Sequence, residues 1–196
     1  MMLTPAYLPT ISYFKSIINQ NELLLCVNTN YQKQTYRNRS VIFGANGRQN
    51  LIIPITKNII SQNDEHIEIH NEIPWQKNHW KSIETAYRSS PFFEYYKDEF
   101  RPFFIEEYRF LFQYNIELMR KILIILDLPI KLKKVNHNND FKKNNYLIDP
   151  KTKLKRFKPY VQVFDEKIGF QSDLSIIDLI FNIGPEATEY IKSIPK

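Results

Sequence analysis

Residues 3–28 read LTPAYLPTISYFKSIINQNELLLCVN, and this stretch decides the fold class. Leu3 to Leu8 is short and apolar enough to form a strand, which Pro9 would end. Thr10 to Asn19 then repeats its apolar residues at helical spacing behind a residue type that commonly caps helices. Glu22 to Asn28 is a nearly continuous apolar run, typical of a strand covered on both faces. Strand, helix and strand in this order predict a compact βαβ-like unit, although the helix is short for a full crossover.

A hairpin follows this opening unit. Val41 to Phe43 and Leu51 to Ile55 are both apolar, and they flank a turn segment at 44–47 that ends in Asn-Gly. An Asn-Gly pair between two apolar runs is a strong hairpin signal, so we predict an antiparallel pair here. Ile67 to Ile69 alternates apolar and polar residues, which predicts one more strand with a single buried face.

The apolar period becomes helical from Trp75 onward, which places most helices in the C-terminal half. The spacing predicts a helix that starts at Trp75 and that Pro91 ends, further helices over Phe92–Phe100, Phe104–Leu126 and Ser175–Phe181, and a strand over Tyr160–Phe164. The predicted fold class is therefore α/β, with a mixed, partly parallel sheet, flanking helices and a largely helical C-terminal half. We expect residues 1–196 to form one domain.

The positive charge is concentrated in one part of the chain. The formal net charge is +6, and residues 131–158 alone hold nine lysines and one arginine against two aspartates. That segment is also rich in Asn and poor in apolar residues, so we predict a basic, mobile insert there. Because most of the excess charge belongs to a solvated segment, the composition argues against nucleic acid as the partner.

Several classes of protein are disfavoured by what the chain lacks. Cys26 is the single cysteine, which rules out an internal disulfide and a multi-cysteine zinc site. It lies within an apolar run, where cysteine normally acts as a small hydrophobic residue. No apolar run approaches the roughly 18 residues that span a bilayer. The start, Met1 to Pro5, lacks the features of a secretory signal, so we expect a cytoplasmic protein.

The polar connection from Tyr31 to Arg39 is the first candidate site, and we call it the 31–39 loop. It follows an apolar strand directly, and open α/β sheets place ligands at such strand ends. Guanidinium groups present a planar fork of donors that suits phosphate or carboxylate. An ordinary polar turn would explain the same composition. The candidate ligand-binding residues here are Gln32, Lys33, Tyr36, Arg37, Asn38 and Arg39.

The predicted helix that starts at Trp75 carries the second candidate site. His79 is a candidate acid or base, because imidazole titrates near neutral pH. A capping or packing histidine beside the two tryptophans is the alternative. Tyr87 and Arg88 lie at the far end of this helix, and Arg88 follows His79 by nine residues, which places the two about 180° apart around an ideal helix.

Other patterns suggest little chemistry. His66, Glu68 and His70 would share one face of a strand, and two imidazoles with a carboxylate can hold a metal, but a solvated outer face explains them equally. We expect the solvated face and no metal site. Asp173 or Ser175 would serve as the N-cap of the last long helix. With four glycines in the chain, a glycine-rich phosphate cradle is excluded.

Seven ordered blocks resemble one family. They are Pro5-Ala6-Tyr7-Leu8-Pro9 with Tyr13-Phe14; Gln32-Lys33 with Tyr36-Arg37-Asn38-Arg39; Leu51-Ile52-Ile53-Pro54-Ile55; Trp75 with His79-Trp80-Lys81-Ser82-Ile83; Ala86-Tyr87; Ser90-Pro91-Phe92-Phe93; and 174–182 followed by Gly184. On these blocks the chain resembles the WbqC-like protein family over nearly its whole length. The form at residues 87–96 resembles the branch found in Bacteroidetes.

The resemblance implies a role in bacterial surface-polysaccharide synthesis, such as O-antigen or lipopolysaccharide assembly. A transfer of a glycyl or other acyl group to an amino sugar is the suggested activity. Many relatives begin with His-Gln-Pro, whereas this chain has Leu3, Thr4 and Pro5, so a mechanism that uses the early histidine does not carry over. The alternative is a non-catalytic module that binds a small anionic ligand or a partner protein.

Together, the residues and the resemblance predict a pocket for a small anionic or nucleotide-linked ligand. Arg37 and Arg39 would hold a phosphate or carboxylate, and Asn38 and Gln32 would orient the acceptor. His79 would supply or remove a proton. Further binding residues would be Tyr7, Lys33, Tyr36, Tyr87 and Arg88, with Tyr7 and Tyr87 stacking on or hydrogen bonding to a sugar or base.

Overall fold

The structure is a computed structural model of the 196-residue chain, and it describes residues 1–29, 31–56, 63–136, 147–152 and 157–195. The strands are β1 (Met2–Leu3), β2 (Glu22–Cys26), β3 (Arg39–Gly44), β4 (Gly47–Ile52) and β5 (Lys131–Val135). The helices are α1 (Ile11–Ile17), α2 (Trp75–Tyr87), α3 (Phe93–Phe100), α4 (Leu111–Ile125), α5 (Asp165–Ile168), α6 (Ile176–Ile183) and α7 (Ala187–Ser193).

The predicted fold class is confirmed. β1, β2 and β5 form a parallel sheet in the order β1-β2-β5, and Leu3 is the register partner of Leu25. β1, α1 and β2 therefore make the parallel βαβ-like unit that the first 28 residues predict. β3 and β4 form a separate antiparallel hairpin in which Gly44 opposes Gly47. The turn residues are Ala45 and Asn46, and Gly47, which begins β4 directly after them, has a φ of +103°, a left-handed value that favours glycine.

Residues 4–10 differ from the prediction, because the strand expected over Leu3–Leu8 ends at Leu3. The chain then runs as a buried irregular segment, in which backbone groups of Tyr7 and Leu8 form hydrogen bonds with residues distant in sequence. The Tyr7 amide donates to the Tyr36 carbonyl at 2.9 Å, and the Leu8 carbonyl accepts from the hydroxyls of Ser40 and Ser175. The first contact joins this segment to the 31–39 loop, and the other two join it to β3 and to the start of α6.

Two predicted elements in the C-terminal half are corrected. The helix expected from Phe104 begins instead at Leu111, because a 3₁₀ turn at Arg101–Phe104 and an irregular stretch precede it. The strand expected over Tyr160–Phe164 is absent from the described residues. That segment is irregular, and it inserts Tyr160 and Gln162 into a buried polar network instead of a sheet.

The basic segment 131–158 contributes one strand and a buried pair of residues to the described structure. Its first five residues form β5, and β5 pairs with β2 over its whole length. Leu147 and Ile148 are buried, and the Ile148 carbonyl accepts from the Tyr36 amide at 2.8 Å. Residues 137–146 and 153–156 lie outside the described residues. β5 and the buried pair thus belong to the folded part of the chain, and a mobile insert over 131–158 stays a prediction.

Asp173 caps a helix other than the one predicted. Its two carboxylate oxygens accept from the Ser12 amide at 2.8 Å and the Ser12 hydroxyl at 2.7 Å, so it caps the first turn of α1. Ser175 is the N-cap residue of α6, but its hydroxyl donates to the Leu8 carbonyl instead of the helix. Both residues therefore fasten the C-terminal half to residues 8–12.

The predicted strand over Ile67–Ile69 is reduced to isolated bridges. Ile69 bridges to Ile55 and Glu68 bridges to Phe110, and the expected alternation of burial holds. Within the described parts of the chain, no helix is both long and apolar enough to cross a membrane.

Candidate functional site

A buried ion pair anchors the 31–39 loop. Arg37 Nε lies 3.0 Å from Asp64 Oδ2, and both side chains are only 3% exposed. The same carboxylate oxygen accepts from the Thr29 hydroxyl, and the Asn115 amide donates to the Arg37 carbonyl at 2.8 Å. Burial raises the pKa of Asp64, an effect that Arg37 and Thr29 oppose. Arg37 is thus buried, with Nε held by Asp64 and Nη1 3.5 Å from the Thr35 hydroxyl.

A small pocket adjoins this pair, and we call it the Asp64 pocket. It encloses about 190 Å³, open solvent at its mouth included. Its interior has room for roughly one water-sized group. The lining residues are Thr4, Pro5, Tyr31, Arg37, Asp64, Leu111, Phe112 and Asn115.

Three oxygen atoms of the pocket's lining residues have no hydrogen-bond partner in the described structure. They are Thr4 Oγ1, Asp64 Oδ1 and Asn115 Oδ1, and each is buried. Leaving a buried polar atom unsatisfied costs about 1–3 kcal/mol. The Thr4 hydroxyl can donate or accept, and the other two oxygens accept, so these residues mark a place where a small polar group would be stabilised.

Arg39 is the arginine of the loop with an unsatisfied donor. It begins β3 opposite Ile52, and its Nε is buried without a partner among the described residues. Its charge acts on the nearby Tyr31: burial raises the Tyr31 pKa to about 12, while Arg37 and Arg39 lower it. Tyr31 also lines the Asp64 pocket, whose lining does not include Arg39.

The remaining predicted residues of the loop have diverse environments. Gln32 and Lys33 are exposed, and the Gln32 carbonyl accepts from the Thr35 hydroxyl. Tyr36 is buried, and its backbone bonds with Tyr7. Asn38 is also buried; its side-chain amide N–H donates to the Ile53 carbonyl at 2.9 Å, and its side-chain oxygen Oδ1 has no partner in the described structure. Asn38 thus chiefly joins β3 to the segment after β4.

His79 lies on the buried face of α2, where it contacts Tyr7 of the segment that follows β1. The Tyr7 hydroxyl lies 2.9 Å from His79 Nδ1, and the two rings stack with centroids 5.7 Å apart. Burial lowers the pKa of His79 to about 4, and a hydrogen bond to the Ile52 backbone opposes this shift. The imidazole is therefore neutral near pH 7. The ring N–H of His79 can donate to the Ile52 carbonyl while Nδ1 accepts from the Tyr7 hydroxyl.

Ile52 brings the two predicted sites close together. The backbone of Ile52 is hydrogen bonded to the His79 ring, and Ile52 is the register partner of Arg39 in the β3–β4 hairpin. Directly opposed residues of an antiparallel pair have Cα atoms about 4.5–5.5 Å apart. His79 and Arg39 therefore approach the same strand pair. The lining of the Asp64 pocket, however, includes neither of them.

Tyr87 belongs to a different network. Its hydroxyl donates to Asp178 Oδ1 at 3.0 Å and accepts from the Phe43 amide at 3.1 Å. The other oxygen of Asp178 accepts from the Tyr160 hydroxyl and from the Gln162 amide. Burial raises the Asp178 pKa to about 6, although these three donors oppose the shift. The four side chains lock α2, α6 and the 157–164 segment together.

Arg88, His66, Glu68 and His70 lie outside these clusters. Arg88 is exposed at the C-cap of α2, whereas His79 is buried, as their predicted angular separation requires. Glu68 pairs with Arg109 at 2.8 Å, and His70 lies 3.3 Å from Glu72. Among the described residues no group of histidine, cysteine and acidic side chains is placed to hold a metal ion.

Asp64, Thr4 and Asn115 are the site residues that sequence reasoning missed. Asp64 lies in a polar stretch 27 positions from Arg37, and Asn115 lies within the predicted apolar stripe of α4. A polar residue at a core position of a helix is the one available signal, because buried amides need partners. Asn115 fits that rule, since it bonds to the Arg37 carbonyl.

Comparison with known proteins places this arrangement in a family. The model of the WbqC-like protein family matches residues 4–156, which include the 31–39 loop, Asp64, His79 and Asn115. The uncharacterized protein Rv1507c of Mycobacterium tuberculosis is 25% identical over 223 aligned positions, covering 95% of this chain and 94% of that protein. No solved structure matches the chain significantly. The match over most of the sequence shows that the chain belongs to the WbqC-like protein family.

Proposed function

We propose that the chain binds an anionic, sugar-linked precursor of a bacterial surface polysaccharide at the 31–39 loop and acts on it as a transferase. The observation that carries the binding proposal is the buried Arg39 Nε without a partner among the described residues. A phosphate or carboxylate would supply the missing acceptor, because guanidinium bonds to both in planar geometry.

Arg37 and Arg39 have separate roles in this proposal. Arg37 is held by Asp64, so it shapes the loop and adds positive potential without being the main ligand contact. Arg39 supplies the free donor, and the exposed Lys33 adds a second positive charge on the same loop. This division favours a compact diphosphate or nucleotide-linked group over a long polyanion.

The transferase step comes from the family resemblance. The amine nitrogen of an amino sugar would attack the carbonyl carbon of an activated acyl or glycyl donor, such as an ester or thioester. A C–N bond forms, the bond from the acyl carbon to the leaving group breaks, and the amine's proton ends on that leaving group. Holding the two reactants together contributes much of such a rate enhancement.

The surroundings of His79 support a hydrogen-bonding role better than an acid–base role. Its ring is bonded by Tyr7 and Ile52, and a pKa of about 4 leaves it neutral near pH 7. We propose that His79 positions Tyr7 and the strand pair that carries Arg39.

A second candidate is a non-catalytic module that binds the same anionic ligand. The burial of both His79 and Cys26 favours it, because neither presents an accessible base or nucleophile. Burial, and secondarily the charge of Asp64, raise the pKa of the Cys26 thiol to about 11.

Mass spectrometry of reaction mixtures separates the two candidates. The purified chain would be incubated with UDP-linked amino sugars and with acyl or glycyl thioesters, and acylated sugar would be sought. Acylated product that depends on Arg39 supports the transferase. Binding of the sugar nucleotide without any product supports the binding module, whereas a chain that neither binds nor reacts would contradict both.

A further inference from the structure

We propose that Ser40 and Ser175 are positioning residues of the candidate site, which hold the Leu8 carbonyl and so keep the Tyr7 hydroxyl bonded to His79. Both serines act through the segment that carries Tyr7, because both bond to its backbone. The inference rests on the proposed function only where it extends to ligand binding.

Two buried hydroxyls converge on one carbonyl oxygen. Ser40 Oγ of β3 lies 2.8 Å from the Leu8 carbonyl oxygen, and Ser175 Oγ, at the start of α6, lies 3.0 Å from it. The two serines are 1% and 0% exposed, so bulk water does not compete for these bonds. A carbonyl oxygen can accept two hydrogen bonds, and both donors here belong to elements distant in the chain. The Leu8 carbonyl is therefore fixed from two sides.

Leu8 needs this support because of its backbone conformation. Its φ is +41°, a left-handed value that a leucine disfavours, because Cβ comes too close to the following carbonyl oxygen. Such conformations persist only where the surroundings over-determine them. Here the two serine bonds and the bond from the Tyr7 amide to the Tyr36 carbonyl hold the segment. Loss of one hydroxyl should thus let the segment relax and move Tyr7.

Six residues form a closed cycle of contacts around the candidate site. They are, in order, Tyr7, His79, Ile52, Arg39, Ser40 and Leu8. The His79 ring bonds to the Tyr7 hydroxyl and to the Ile52 backbone, and Ile52 pairs with Arg39. Ser40 follows Arg39 directly in β3 and bonds back to the residue after Tyr7. Because each contact of a cycle limits the others, a lost Ser40 hydroxyl should affect both His79 and Arg39.

NMR titration of the His79 ring tests the inference without any ligand. Ser40→Ala and Ser175→Ala should each raise the His79 pKa by about half a unit to one unit, because a weakened Tyr7 bond and entering water both favour the imidazolium. Ser90→Ala is the matched control. Its hydroxyl is also buried and donates to a main-chain carbonyl, but outside the cycle, so the pKa should not change. A His79 pKa that neither serine variant raises, or that Ser90→Ala raises equally, would overturn the inference.

A second pair of variants addresses loss of folding, which thermal melts would detect. Ser40→Cys and Ser175→Cys keep nearly the same volume and a weaker donor. They should therefore raise the His79 pKa in the same direction but by less than the alanine variants. If the alanine chains do not fold, thiol variants that leave the pKa at its wild-type value would overturn the inference.

Calorimetry with UDP-glucose tests the extension to ligand binding. Ser40→Ala should weaken binding at least about threefold, part of the contribution of one hydrogen bond to a charged group, and Ser90→Ala should bind as the wild-type chain does. If the wild-type chain binds no UDP-glucose, the proposed function fails for this ligand, and the titration still decides the inference. Unchanged binding by Ser40→Ala with a raised His79 pKa would overturn the link to Arg39 and support the positioning of Tyr7.

Discussion

Arg37 and Asp64 form an ion pair inside the protein, with Arg37 Nε 3.0 Å from Asp64 Oδ2. The pair joins the 31–39 loop to the turn that begins at Asp64, and Thr29 adds a third side chain. Desolvation of two charges costs free energy that their attraction and hydrogen bonds only partly offset. The pair is therefore expected to add little net stability while it is intact.

Removing one partner of this pair should destabilise the fold strongly. Arg37→Met leaves a buried carboxylate unpaired, which should lower the free energy of unfolding by about 3–5 kcal/mol. Urea denaturation measures this loss. The control is Arg109→Ala, which removes an exposed pair with Glu68 and should cost less than about 1 kcal/mol. Equal losses in the two variants would show that the Arg37 pair is not desolvated as described.

Asp178 and His79 should make opposite contributions to the pH dependence of stability. The folded-state pKa of Asp178 is raised to about 6, so its contribution is present at low pH and is lost as pH rises from about 4 to 6. The folded-state pKa of His79 is lowered to about 4, so its contribution is present above about pH 6.5 and is lost as pH falls to 4. In the wild-type chain these two contributions to the slope of the free energy of unfolding against pH largely cancel.

Single substitutions should separate the two slopes. Relative to the wild-type chain, Asp178→Asn should make the free energy of unfolding rise more steeply between pH 4 and 6.5, and His79→Gln should make it fall. Urea denaturation at several pH values measures both. Each change should amount to about 3 kcal/mol across the window, since one pKa unit corresponds to about 1.4 kcal/mol. Parallel pH profiles for all three chains would contradict the assigned shifts.

Tyr7→Phe should raise the pKa of His79. The Tyr7 hydroxyl stabilises the neutral imidazole by donating to Nδ1, and its loss removes that preference. The variant should also lose about 1–3 kcal/mol of stability, because a buried acceptor is left unsatisfied. NMR titration of the His79 ring measures the pKa. Tyr95→Phe, at an exposed position, is the control and should change neither quantity. A further lowered pKa in Tyr7→Phe would show that the hydroxyl accepts instead.

The local parts of the fold were predictable from the sequence, because their signals lie within a few residues. Two signals show this: the helical spacing after Thr10 and the Asn-Gly pair before Arg48. Each predicts an element whose hydrogen bonds join residues that are close in the chain. β5 was missed for a physical reason. It is an edge strand, and lysines commonly protect such edges from further pairing, so Lys131–Val135 resembles a solvated segment.

The candidate site was predictable only in part. The arginines of the 31–39 loop and His79 stand out by residue type, but their partners depend on tertiary contacts. Asp64 and Asn115 contact Arg37 from 27 and 78 positions away in the chain. The periodicity of apolar residues does not predict contacts between residues so far apart in sequence. Tyr87 was predicted to line the pocket because it shares a helix with His79, but its hydroxyl donates a hydrogen bond to Asp178 instead.

The central claim is that Arg39 binds an anionic ligand. Titration calorimetry with UDP-linked sugars tests it most directly, using the wild-type chain, Arg39→Ala and Arg120→Ala. Arg120 is exposed on α4 and outside the proposed site, so its variant controls for the loss of one positive charge. We predict that Arg39→Ala weakens binding at least about tenfold, since a hydrogen bond to a charged group contributes about 1.5–3 kcal/mol. Arg120→Ala should bind as the wild-type chain does. Unchanged binding by Arg39→Ala, with a folded variant, would contradict the account.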